Sequence, residues 1–240
     1  MIIRVSGSSQ FLITQPDHAA LAGHIIRHWA ADGLLVSPRR ADILHAVAEH
    51  DNGWREVDAA PLVDETTGRI LDFIRAPDEV KRGVWPRAME RLRTVPYAAA
   101  LVAQHAIHVY ARNRTSADWT AFFLEMEEAR NRCLRQTPSA TLEELLHDYA
   151  FVRLGDLMSL TFCTGWTEPQ TDEYEYAIRL SEAHLSVSPD PFGGQRVPFE
   201  IAACELPDRP FRSAADAQRA MVTAPRITLT GLAIGIANAI

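Results

Sequence analysis

The chain has 240 residues, 47% of them apolar and 23% charged, enough to bury a full core and ordinary for a globular protein. Its formal net charge of −7, with no concentrated basic stripe, argues against a general nucleic-acid binder. The 3 cysteines form no CxxC, the start lacks a signal-peptide apolar stretch, and the apolar region 229–240 is too short for a bilayer, so we expect reduced thiols in a cytoplasmic protein without a membrane partner.

The first elements read as a hairpin, residues 2–5 and 10–13 around a Gly-Ser-Ser turn. A helix follows, opened by the capping pattern Thr14-Gln15-Pro16-Asp17 and carried by Leu21, Ala22, Ile25 and Trp29 at helical spacing. Asp32-Gly33 is its predicted stop. Ser37-Pro38 opens a second helix that buries Ile43, Leu44 and Val47 and ends near His50-Asp51-Asn52-Gly53. Residues 54–77 show little periodicity; a loop that long in a compact domain is usually functional or a lid. Helices resume at 78–93, 96–112, 116–135 and, behind the capping box Thr141-Leu142-Glu143-Glu144, 141–163.

Beyond Gly165 the period changes to two. Leu185 and Val187, then Val197, Phe199 and Ile201, then Ile227 and Leu229, then Leu232, Ile234 and Ile236 predict strands, with a bulge at Gly231 and one short helix from Ser213. The expected class is α+β, mainly α: one unit over 1–240, with a helical core at 14–163. The β-rich segments 1–13 and 166–240 pack on that core, their strands joining the hairpin in a small antiparallel sheet. Those strands could instead cover a pocket or form a homodimer contact.

Helical geometry then sorts the polar residues by face. His18 lies three, four and seven positions before Leu21, Ala22 and Ile25, on the apolar stripe. His50 follows Val47 and Ile43 by three and seven; Asp51 follows Val47 and Leu44 by four and seven. His105 follows Leu101 and Val102 by four and three, and Asp156 follows Tyr149 by seven. Most other histidines fail this test: His24 and His45 fall off their stripes, His147 is about 180° from Asp156, and only His108 could also face inward. An imidazole or carboxylate facing a core is costly unless satisfied. Five such residues on four helices point to a shared partner, and a bound metal is the simplest.

A first His, a His-Asp pair ending the next helix, a further His and a distant Asp resemble the HD superfamily. That superfamily comprises all-helical metal-dependent phosphohydrolases and a minority of di-iron oxygenases. His50-Asp51-Asn52-Gly53 looks like its His-Asp-x-Gly signature, although the residue after the pair is usually apolar. The wider text, including Ile13-Thr14-Gln15-Pro16-Asp17-His18-Ala19 and Pro189-Asp190-Pro191-Phe192, is similar to a bacterial family of unknown function. The HD resemblance implies one metal held by His18, His50, Asp51 and Asp156. Asp51 would be placed to bridge to a second, to which His105 would belong, with His108 as the one further candidate.

Such mixed ligation suits a divalent Fe, Mn, Zn, Co or Ni ion, one or two of them. The leading expectation is hydrolysis of a small phosphate ester by metal-bound hydroxide, with Asp51 orienting or deprotonating the water and Arg55 or Arg153 holding the phosphate. Either Arg could instead pair with a buried acid. Trp54 and the 54–77 loop, with Asp58 and Asp72, are candidate pocket walls, although a core anchor is the plainer role for Trp54. Asp17 is expected to cap its helix. The alternatives are a di-iron oxygenase on the same ligands and a non-catalytic protein with a structural metal or polar core cluster.

Overall fold

The computed structural model describes residues 1–171 and 176–237; the end of the predicted β-rich segment, 238–240, lies outside the described residues. Strands β1 (Ile2–Ser6) and β2 (Ser9–Ile13) form the expected hairpin, with Ile2 opposite Ile13. Helix α1 (Gln15–Ile26) starts as its sequence demands: the Thr14 hydroxyl accepts from the Asp17 N–H, and a Pro occupies the first turn. It stops at Ile26, earlier than Asp32-Gly33. Long-range contacts take over there. Ala30 N–H donates to the Pro191 carbonyl (2.7 Å), and Trp29 packs edge-on against Phe151, Tyr176 and Phe192.

Helix α2 (Arg40–Glu49) leads through a 3-10 turn (Asn52–Trp54) into the short α3 (Arg55–Ala59). The expected 54–77 loop is braced against the start of the chain. Val63 pairs with Ile70, Phe73 N–H donates to the Met1 carbonyl, and the Asp58 carboxylate binds both the Gln15 N–H (2.6 Å) and the Met1 amine (2.5 Å).

Four longer helices follow: α4 (Asp78–Arg91), α5 (Pro96–Val109), α6 (Ala117–Arg135) and α7 (Leu142–Thr164). Both halves of the Thr141–Glu144 capping box form, and α7 ends at Gly165 in the left-handed region. One buried network ties α2, α5 and α7. The Tyr97 hydroxyl (2.6 Å) and Arg39 Nε (3.2 Å) both donate to Asp148 Oδ2.

The remaining elements are β3 (Gln170–Thr171), β4 (Ala177–Ser181), β5 (His184–Ser188), β6 (Arg196–Pro207), α8 (Ala214–Thr223) and β7 (Arg226–Gly235). The sheet order is β1-β2-β6-β7-β5-β4-β3, so the N-terminal hairpin joins the C-terminal strands, with Leu12 opposite Cys204. The β5–β7 pair is parallel, not antiparallel as expected of these strands; the other neighbours are antiparallel. Gly231 is no bulge. It pairs in register with Phe199, and a Cβ there would lie 2.4 Å from Phe199 Cζ and 2.8 Å from Phe162 Cε2. The glycine makes room for two rings.

The class is α+β, mainly α. Helical residues such as Val47, Leu101 and Val152 share one apolar cluster with Ile178, Leu185 and Val197 of the sheet. No helix among the described residues is long and apolar enough to cross a membrane.

Candidate metal centre

Helices α1, α2, α5 and α7 converge, and small residues let them. A Cβ on Gly155 would lie 2.7 Å from Val47 Cγ1 and 3.3 Å from Ala22 Cβ, so only glycine lets α7 come this close to α1 and α2. The next residue is Asp156. His18 comes from α1, His50 caps the C-terminal end of α2, Asp51 follows it, and His105 comes from α5. All five residues singled out by facing therefore meet. His18, His50, Asp51 and His105 are buried, while the Asp156 side chain keeps 20% of its exposure and is the cluster's way out.

The distances define the centre. His18 Nε2 lies 2.9 Å from Asp51 Oδ2 and 3.9 Å from Asp156 Oδ1. His50 Nε2 lies 3.4 Å from Asp156 Oδ1 and 3.8 Å from Asp51 Oδ2. His105 Nε2 lies 3.9 Å from Asp156 Oδ2. Atoms bound about 2.1 Å from one ion stand roughly 3.0–3.4 Å apart, so the set needs little contraction to share an ion. Two groups, His18-His50-Asp51 and His50-His105-Asp156, could each hold a metal ion, and they share His50.

The far ring nitrogens show which atom of each ring faces the centre. His50 Nδ1 is 2.7 Å from the Val47 carbonyl, which can only accept, so Nδ1 carries a proton and Nε2 is the nitrogen turned to the centre. That Nε2 is buried without a hydrogen-bond partner among the described residues. His18 Nδ1 is 2.9 Å from Ser159 Oγ, whose hydroxyl donates to the Asp156 carbonyl, so His18 also turns Nε2 inward, towards Asp51. His105 Nδ1 meets the Tyr149 hydroxyl at 3.0 Å.

Ring nitrogens thus face carboxylate oxygens, and either a proton or a metal cation between them satisfies both. The pKa shifts show how strongly the site favours positive charge. Burial pushes the His50 imidazole down, but Asp156, Asp51 and the Val47 carbonyl outweigh it and raise it to about 9. Burial also opposes charge on Asp156 and Asp51, yet hydrogen bonds and charge from His50 and His18 hold both below the usual carboxylate range. His105, disfavoured first by burial and then by His50, drops to about 4. The donor set fits a metal cation.

A cavity of about 230 Å³ opens on His105 and Asp156, with Arg153, His108 and Thr171 on its walls. A larger one of about 680 Å³, between α1 and the β6–β7 ladder, touches none of the five residues. Chemistry, not size, locates the site.

Of the two arginines, Arg153 reaches this cavity. Arg55 is exposed on α3 and lines a different one with Thr14, Asp17 and Asp58. Trp54 is a buried core residue, and the 54–77 segment does not line the 230 Å³ cavity. Asp17 accepts from Thr14 Oγ1 at 2.6 Å, away from the centre. His147 is exposed, as its facing implies. Sequence reasoning missed Ser159 and used Tyr149 only as a facing reference. Both sit on the Asp156 face of α7, three residues after it and seven before, so the same spacing argument could have found them.

Fold and site together define an α+β protein with a buried His/Asp cluster able to hold a metal ion. The chain belongs to the family described as Protein of unknown function (DUF3891), whose model matches residues 1–208. No curated protein and no solved structure matches it.

Proposed function

We propose that this protein is a metal-dependent hydrolase of small phosphate esters. One observation carries the reading: the inward Nε2 atoms of His18 and His50 and the carboxylates of Asp51 and Asp156, drawn from separate helices, crowd together within about 4 Å in a buried cluster. The ordered His, His-Asp, His, Asp resemblance to the HD superfamily supports it. His18, His50, Asp51 and Asp156 would hold one divalent Fe, Mn, Zn, Co or Ni ion, with His105 alongside. When bound, such an ion supplies Lewis acidity, lowering the pKa of a water towards about 7 and drawing charge from a phosphoryl oxygen.

The chain's own groups do the rest. The Val47 carbonyl and Ser159 fix the imidazoles of His50 and His18 with Nε2 inward. Asp51 Oδ2 is engaged by His18, which leaves Oδ1 to take a proton from the attacking water. Arg153, on the wall beside Asp156, orients the phosphate. Arg55 has no part.

A two-iron oxygenase is disfavoured. His50 Nε2 belongs to both ligand groups, its other nitrogen is bound to Val47, and one lone pair serves one ion. Metal analysis followed by a screen of small phosphate esters tests the reading. Phosphate release that depends on the ion is expected; oxygen uptake with intact esters would overturn it.

A further inference from the structure

A cavity of about 380 Å³ lies where the starts of α1, α3 and β7 meet α8. It shares no wall residue with the cavity of about 230 Å³ beside Asp156. Two guanidinium groups line it, Arg55 as the first residue of α3 and Arg226 as the first of β7. Among the described residues no side-chain hydrogen bond or ion pair engages either of them. The acids around them are already committed. Glu56, next to Arg55, pairs with Arg87 and Arg91 of α4. Glu205, on the strand beside Arg226, accepts from Ser9 Oγ at 2.9 Å. Of the two carboxylates on the cavity wall, Asp58 is held by the Gln15 N–H and the Met1 amine, and Asp17 by the Thr14 hydroxyl.

Two positive charges thus border one space without an ion pair of their own. A guanidinium carries its donors as a fork that matches the oxygens of a carboxylate or a phosphate. Gln218 adds a donor: its amide has two N–H bonds, and the Ala59 carbonyl takes one at 3.3 Å. The start of α1 adds none, because the Gln15 and Asp17 N–H groups donate to Asp58 and Thr14 and Pro16 has no N–H. Part of the wall is apolar. Met221 is buried there, and Val222 stands 79% exposed, a large apolar side chain with nothing over it.

We propose that this cavity binds a small organic anion, its carboxylate or phosphate group held by Arg55 and Arg226 and its apolar part laid on Met221 and Val222. Size agrees. At roughly 30 Å³ per water-sized group, the cavity of about 380 Å³ takes about twelve such groups, an oxyanion with a ring or a short chain. The site is separate from the metal centre and does not depend on the phosphate-ester reading.

The test follows the Met221 methyl resonance in the full chain, labelled at its methionine methyl groups and assigned through Met221→Leu. Phenylphosphonate and benzoate share a ring and differ in the anion; benzyl alcohol keeps the ring without the charge. A saturable shift is expected with at least one of the anions and none with benzyl alcohol. The tighter of the two anions tells whether the bound group is phosphate-like or a carboxylate. Arg55→Gln and Arg226→Gln should each weaken binding at least about tenfold, the scale of a charge-assisted hydrogen bond, while the other methionine resonances keep their wild-type positions. Arg153→Met, in the other cavity, should leave the affinity unchanged. No shift with either anion, an equal response to benzyl alcohol, an affinity that survives in either Gln variant, or one lost with Arg153→Met overturns the site.

Discussion

His18 and Asp51, 33 residues apart in the chain, meet through Nε2 and Oδ2 at 2.9 Å in a buried setting. With His18 Nδ1 directed at Ser159, this short contact joins two acceptors unless a cation or a proton lies between them. It is the tightest point of the cluster and the natural place to test it.

Replacing His50 and Asp51 together with Ala should reduce bound transition metal to less than about a tenth of the wild-type content, because two ligand positions vanish at once. Elemental analysis of purified protein reads this directly. Alanine at His147, exposed on α7, should change nothing. Equal loss in both variants would show that facing does not identify ligands.

Ser159→Ala removes the acceptor for His18 Nδ1–H and frees the ring to turn. Metal affinity should fall at least about tenfold, as for other groups that orient a ligating imidazole. Competition with a chromogenic chelator measures it. An unchanged dissociation constant would show that Ser159 does not hold the ring.

Arg153→Met should raise KM for a cleaved phosphate ester roughly tenfold, the scale of a charge-assisted hydrogen bond, while metal content stays at the wild-type level. Steady-state kinetics beside elemental analysis separates the two effects. Loss of metal instead would give Arg153 a role in building the centre.

Gly231→Ala forces a Cβ into the space of the Phe199 and Phe162 rings. Overpacking of this kind costs about 1–3 kcal/mol, and a chain of this size loses roughly 2–4 °C of Tm per kcal/mol. Thermal unfolding reads it, and a second change, Phe199→Leu, should restore part of the loss. A Tm equal to wild type would mean that the sheet shifts to accept the methyl.

The sequence displayed the helices and the site more fully than the sheet. Thr141 with Glu144, and Thr14 with Asp17, mark helix starts because capping is local. The inward set of His18, His50, Asp51, His105 and Asp156 could be read because a helix repeats its facing at fixed spacing. The end of α1 was hidden, because Trp29 and Ala30 answer to Phe192 and Pro191 from far along the chain. Strand β4 went unread although Ile178 and Leu180 alternate, a signal too short to stand out. Gly231 looked like a bulge because its actual reason, two rings from other elements, has no local trace. The Val47 carbonyl is equally silent in sequence, being backbone, yet it turns His50 Nε2 to the centre.

Strand β7 follows β5 and β6 in the chain yet lies between them in the sheet. During synthesis, then, the gap in the ladder stays open until residues 226–235 have left the ribosome. A stalled or truncated nascent chain would carry two bare backbone edges on an otherwise finished helical body, and such edges recruit other chains. Residues 226–235 thus join two halves of the sheet that have no other strand between them.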